Sequence, residues 1–201
     1  MNKTFEEKVK ATLWVAHTLF AQGLVNGSSG NISFYHEGSM YISKSGSCFG
    51  RLNASSFARV ALNDKQVDTK ASKEYPMHKA LYLSSNIYEC VIHTHSIYST
   101  SFACEKEVEN KINELYSYTP YLGIMSNHKI ECVKYAKPGS KQLFDNFEAC
   151  VKEDTQVYLL KNHGVIIGAK DIYKGYNLLV ELEYSAKMRR MMNECNANKI
   201  I

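Results

Sequence analysis

Residues Glu89–Thr100 read ECVIHTHSIYST, and the preceding Tyr88 opens the same apolar run. YECVIHTH is rich in apolar and β-branched residues, which predicts a buried strand. Successive side chains on a strand point to opposite faces, so His93 and His95 share a face while Thr94 turns away. Two imidazoles so placed are either polar punctuation at a strand end or two arms of a metal site. A catalytic zinc takes three protein ligands and keeps one open position, so a third ligand must come from elsewhere. His163 is the best candidate. It lies in TQVYLLKNHGVIIGAKD (residues 155–171), which reads as two strands meeting at Asn162-His163-Gly164, and the glycine lets backbone approach closely.

Working outward, SKEYPMHKALYLSS (72–85) precedes the histidine strand and reads as a helix with Met77, Leu81 and Tyr82 inward. Glu74 opens it. A carboxylate there is favoured by the helix dipole in any protein; beside a metal it is also a general acid/base or a displaceable fourth ligand. His78, one turn further on, is placed by its spacing either near the site or on the helix surface, and the surface is the expectation. Two small-residue turns, SSGNIS and KSGS, are simple turns on one reading. On the other, their backbone N–H groups form an anion-binding nest, with Ser72 and Lys73 adding a helix start and a positive charge.

The remaining chain alternates helices with neighbouring strands. Phe5, Val9, Leu13, Ala16 and Phe20 recur at helical spacing, predicting a helix over 4–22 with Thr4 as N-cap and Gly23 as stop. Trp14 is expected in the core and His17 in a structural role. Strands are expected in NISFY, SMYIS, FARVAL and IECVKYA, a short helix in IYSTSFACE, and a helix in PGSKQLFDNFEACVKED with Pro138 and Gly139 near its start. Residues 106–128 carry the weakest pattern and are expected to be loop with weak helix. From Asp171 a long helix shows Ile172, Tyr176, Leu179, Leu182 and Ala186 on one face, and the NECNANKII tail is expected to fray. Consecutive strands of this kind predict a mixed, mainly antiparallel sheet with helices on its faces.

The 201 residues are 45% hydrophobic and 22% charged with 3 prolines, which suits a single domain over 1–201 with a real core and little disorder. The formal net charge is +4. The Lys and Arg residues are scattered rather than gathered in a stripe, which argues against a nucleic-acid partner. No stretch approaches the ~20 apolar residues of a membrane span, and the N-terminus lacks a signal-peptide pattern. The six cysteines make no C-x-x-C pair and are expected to be reduced thiols of a cytoplasmic protein.

Taken in order, GLVNGSSGNIS, YISKSG, SKEYPMHKALY, CVIHTHS, VKYAKPGSKQL and LLKNHGVIIGAKD resemble the class II aldolase/adducin family over residues 4–192. The resemblance implies a three-layer α/β/α domain. It implies His93, His95 and His163 as ligands of one Zn2+ per subunit, with another divalent metal also compatible, and Glu74 as the catalytic carboxylate. It places Asn31, Ser45, Gly46 and Ser72 around a substrate phosphate. It further implies a homotetramer with sites at subunit interfaces, where a tyrosine of the neighbouring subunit, Tyr118 or Tyr121, assists. Two departures stand out. Lys73 replaces the second of two small residues before the carboxylate, and the carboxylate is Glu rather than the Asp typical of the epimerases. The expected activity is retro-aldol cleavage of a sugar phosphate, with dehydration or 4-epimerisation by the same logic as alternatives. A non-catalytic adducin-like scaffold is disfavoured by the full His and Glu set.

Overall fold

The computed structural model describes residues 3–63, 67–85 and 87–195. Helix α1 spans Phe5–Ala21, followed by strands β1 (Asn31–His36), β2 (Ser39–Ser43) and β3 (Phe57–Ala61). Helix α2 (Tyr75–Ser84), β4 (Cys90–Thr94) and α3 (Ile97–Ala103) come next. Two short helices, α4 (Ile112–Leu115) and α5 (Pro120–Ser126), lead to β5 (Ile130–Val133) and α6 (Lys141–Cys150). The chain closes with β6 (Val157–Leu160), β7 (Gly164–Ala169) and the long α7 (Ile172–Glu194).

The strands form one sheet in the order β3-β2-β1-β4-β7-β6-β5. Only β5 pairs with its neighbour in parallel, and it is joined to β6 through α6. A parallel pair needs such a crossover, whereas the antiparallel neighbours β1–β2 and β6–β7 are joined by short turns. The mixed, mainly antiparallel sheet is therefore as expected.

Alternation along the strands splits the core into two halves. Ile92 and the pair Val157 and Leu159 face α1, α3 and α7. Their neighbours Val91, Tyr158 and Leu160 face α2 and α6. Both faces of the sheet are thus covered, which gives three layers and explains why β4, β6 and β7 read as continuous apolar runs.

Thr4 caps α1 through a capping box with Glu7, as its sequence position suggests. The buried stripe of α1 differs from the expected one. Val9, Thr12, Val15, Ala16 and Leu19 face inward, while Phe20 sits at the surface. Trp14 is not in the core: it is 50% exposed and packs edge-on against Tyr173 and Tyr176 of α7. The indole lies on the seam between two helices, which periodicity of one helix cannot reveal. His17 has the structural role expected, bonding the Leu52 carbonyl. Residues 106–128 hold a 3-10 turn (Val108–Asn110) besides α4 and α5, too short to carry a helical period. In the tail, Asn193 and Glu194 still belong to α7; the expected fraying beyond Cys195 lies outside the described residues.

Candidate metal centre

β4 lies at the middle of the sheet, flanked by β1 and β7. In that register Asn31 of β1 faces His93 directly, and Val165 of β7 faces Thr94. His163 stands in the β6–β7 turn just before Gly164, so the hairpin carries it to the end of β4 where His95 emerges. Asn162 adopts a left-handed conformation (φ 52°) in this turn, a conformation Asn tolerates better than most residues. His163 N–H closes the turn onto the Leu160 carbonyl.

The three imidazoles converge. Their ligand nitrogens lie within 4.8 Å of one another. His95 Nε2 and His93 Nε2 are 3.1 Å apart. Glu74, the residue just before α2, completes the group, with Oε2 3.2 Å from His93 Nε2 and Oε1 3.2 Å from His163 Nε2. His93 and His163 are almost fully buried and Glu74 mostly so.

Two glycines allow this closeness. A Cβ on Gly30 would stand 2.6 Å from the His93 carbonyl oxygen, and Gly30 adopts φ +77°. A Cβ on Gly164 would overlap the Thr94 carbonyl oxygen and stand 2.8 Å from His95 Cδ2.

The donor set suits a divalent metal ion. His93 Nδ1 lies 2.9 Å from the Val165 carbonyl. A carbonyl only accepts, so Nδ1 carries the proton and the Nε2 lone pair is left facing the cluster. Two bare imidazole lone pairs 3.1 Å apart repel unless a cation or proton sits between them. Ligands on one tetrahedral zinc at about 2.0–2.1 Å stand roughly 3.3–3.4 Å apart, close to the His93–His95 spacing. Burial, together with the neighbouring His93 and His163, pushes the His95 pKa down to about 4, favouring the neutral form a metal requires. Burial alone would raise the Glu74 carboxyl, but wherever the neighbouring His93 and His163 imidazoles carry a proton on Nε2 they overcome it and hold it well below the usual carboxylate range.

The end of β2 and the KSGS turn pack against the segment that leads into α2. Ser43 Oγ accepts from Ile32 N–H, and the Ser43 carbonyl accepts from Ser72 N–H. Lys44 bridges to Ala71, and Ser45 N–H bonds the Lys70 carbonyl. Glu74 N–H reaches Ser72 Oγ at 3.4 Å. Ser45, Gly46 and Lys73 are exposed at the rim while Ser72 is buried. Asn31 lies deeper, and its amide is engaged on both sides, Nδ2 donating to Glu74 Oε2 at 2.8 Å and Oδ1 lying 2.5 Å from His78 Nε2.

His78 itself departs from expectation. It is fully buried, with Nδ1 2.7 Å from Ser33 Oγ. Its spacing, four residues after Glu74, is compatible with either face; Asn31 and Ser33 of β1, which share a strand face, are what bury it. Ser33, Ser43 and Tyr82 were not anticipated at the site. Tyr118 is buried, whereas Tyr121 is 62% exposed.

The family model for the class II aldolase and adducin N-terminal domain matches residues 11–189. The chain belongs to that family. It is 33% identical over 180 residues to the L-fuculose phosphate aldolase of Methanococcus maripaludis (strain C7), covering 89% of this chain and 94% of that one. It is 31% identical over 176 residues to the 3-oxo-tetronate 4-phosphate decarboxylase of Escherichia coli (strain K12), covering 87% and 82%. Its structure superposes on Escherichia coli YgbL, described as an aldolase/epimerase/decarboxylase, with a TM-score of 0.84 and 26% identity, over 96% of this chain and 92% of the other. Among the described residues no helix is long and apolar enough to cross a membrane.

Proposed function

We propose that this enzyme is a zinc-dependent lyase that cleaves a sugar phosphate by a retro-aldol reaction. The observation that carries the reading is the position of Glu74, within 3.2 Å of both His93 Nε2 and His163 Nε2. A carboxylate that close to a three-imidazole cluster can move a proton on a substrate held there.

His93, His95 and His163 would hold the ion, zinc by the preference of imidazole ligands, with another divalent metal also accepted. Once bound, it supplies a Lewis acid that stabilises the enediolate left when the C–C bond breaks. Glu74 takes the substrate proton and returns it to the enediolate carbon. Asn31 holds Glu74 Oε2 throughout. Asn31, expected at the phosphate, instead has its side-chain amide taken by Glu74 and His78; Ser45, Gly46, Ser72 and Lys73 anchor the phosphate away from the reacting atoms, so that binding supplies orientation. Both named relatives act on phosphorylated compounds by their names, which supports an anionic substrate.

The proposal extends to a single domain over 1–201, a cytoplasmic homotetramer, and sites at subunit interfaces. Of the two candidate tyrosines, Tyr121 is the one exposed enough to reach a neighbouring subunit. Neither nucleic acid nor membrane is a partner.

A second reading is decarboxylation of an oxidised sugar phosphate, favoured by the likeness to the Escherichia coli decarboxylase. It uses the same residues, since loss of CO2 beside a carbonyl also leaves an enediolate. A screen of ketose, aldose and oxo-acid phosphates with the zinc-loaded protein, read by mass spectrometry, separates the cases. Cleavage gives two carbon fragments, decarboxylation releases CO2, dehydration gives one product lighter by water, and epimerisation gives an isomer. No turnover of any phosphorylated substrate would reject the proposal.

A further inference from the structure

Behind Asn31 lies a row of buried polar groups, His78, Ser33 and Tyr82, that the proposed reaction leaves unused. His78 Nε2 is 2.5 Å from Asn31 Oδ1 and His78 Nδ1 is 2.7 Å from Ser33 Oγ. Ser33 Oγ lies 2.8 Å from the Tyr82 hydroxyl. At the other end, Asn31 Nδ2 reaches Glu74 Oε2 at 2.8 Å. His78, Ser33, Asn31 and Tyr82 are all buried.

One charge dictates the direction of every bond. An ionised carboxylate only accepts, so Asn31 must turn its NH2 toward Glu74 and its oxygen toward His78. That oxygen only accepts, so His78 Nε2 carries the proton. Burial keeps the imidazole neutral, with its pKa pushed down to about 3, so Nδ1 is a bare lone pair. Ser33 must then donate to Nδ1 and accept from Tyr82. Every hydrogen in the row points toward Glu74. A side-chain amide does not readily pass a proton from one end to the other, so the row orients the carboxylate and does not conduct.

We propose that His78 is a positioning residue, whose Nε2–H locks the Asn31 amide so that it donates to Glu74 Oε2 and leaves Oε1 to exchange the proton with substrate. Asn31 is also the residue opposite His93 in the β1–β4 ladder. The same amide therefore sets the carboxylate in register with the imidazole cluster. The effect on turnover rests on the acid/base reading of Glu74; the direction of the row does not.

Two variants and a spectrum test this. His78→Gln keeps an N–H donor near the Nε2 position, and His78→Leu removes it at similar size. His78→Leu should retain its metal and lose roughly tenfold to a hundredfold in kcat with little change in KM, and His78→Gln should recover most of that loss. In labelled wild-type protein, His78 should show the Nε2–H tautomer unchanged between about pH 5.5 and 8.5. The Asn31 side-chain NH2 should give two resolved resonances in wild type and His78→Gln, and exchange-broadened ones in His78→Leu. The inference is overturned by an Nδ1–H tautomer, by equal losses in the two variants, or by wild-type kcat in His78→Leu. Should His78→Leu not fold, the tautomer and the His78→Gln amide resonances decide. Should the wild type turn over no substrate, the proposed function falls, and the resonances alone uphold or overturn the lock.

Discussion

Asn31 and His93 are directly opposed on the adjacent antiparallel strands β1 and β4, and both side chains reach the same carboxylate oxygen, Glu74 Oε2. Opposed residues on such strands hold their Cβ atoms about 4.5–5.5 Å apart. The carboxylate is therefore placed by the ladder at the middle of the sheet, although Glu74 itself belongs to a turn. A site fixed by a sheet is less easily disturbed than one fixed by a loop, and this shapes what each substitution should do.

Glu74→Gln preserves shape and the bond from Asn31 Nδ2, since the amide oxygen can still accept. It removes the ability to carry a proton. Turnover should fall by at least about a hundredfold, within the usual range of acid/base contributions. Metal content measured by elemental analysis should stay near wild type. A Gln variant that reacts at full rate would remove Glu74 from the chemistry.

His163→Ala should reduce both bound metal and rate, because it removes one of three converging nitrogens. In wild-type protein, a chelator should lower the melting temperature, and adding Zn2+ should restore it, because an ion that binds only the folded state stabilises it by mass action. Stoichiometric metal and full activity in His163→Ala would exclude this residue as a ligand.

The metal-free protein should lose stability on mild acidification. His78 is held down to about 3 and His95 to about 4, in both cases chiefly by burial, against an ordinary value of 6.5. Below pH 6.5 the unfolded chain binds protons that these folded residues refuse, and stability rises with pH wherever the unfolded state binds more protons. Stability is thus lost as pH falls from about 6.5 toward 4, with His78 contributing at most about 1.4 kcal/mol per pH unit. Glu74 does not enter this window: its carboxyl is held low, so its contribution is lost only below the ordinary value of 4.5. Urea melts at pH 7, 6 and 5 would show the trend, and an unchanged midpoint would contradict it.

Gly164→Ala should damage the site without replacing a ligand. The new Cβ would press on the Thr94 carbonyl and on His95 Cδ2. Overpacking of this kind costs about 1–3 kcal/mol. The expected result is a lower melting temperature together with weaker metal retention. A variant that matches wild type in both would mean the β4–β7 spacing relaxes freely.

The helices and strands were largely legible because each depends on neighbours in sequence. Thr4 caps α1 through Glu7 three residues on, and β4 shows its burial in five consecutive residues. Trp14 and His78 were misjudged for the opposite reason. Trp14 packs on α7, more than 150 residues away, and His78 is buried by Asn31 and Ser33 of β1, 47 and 45 residues distant. Neither partner leaves a mark near the residue it covers. The inward face of α1 was likewise set by what packs against it, since two overlapping apolar stripes on one helix differ by less than a turn.

By itself the sequence determined that His93 and His95 share a face, because strand geometry alternates side chains regardless of surroundings, and it spelled the ordered motifs of the class II aldolase family. Only the tertiary structure decided that His163, some 70 residues later, joins them, since the β4–β7 ladder and a left-handed Asn162 aim it there. The tertiary structure alone also decided that Asn31 and His78 stand behind Glu74. Hydrogen bonds between distant residues depend on distances that exist only once the sheet has formed and α2 has docked upon it.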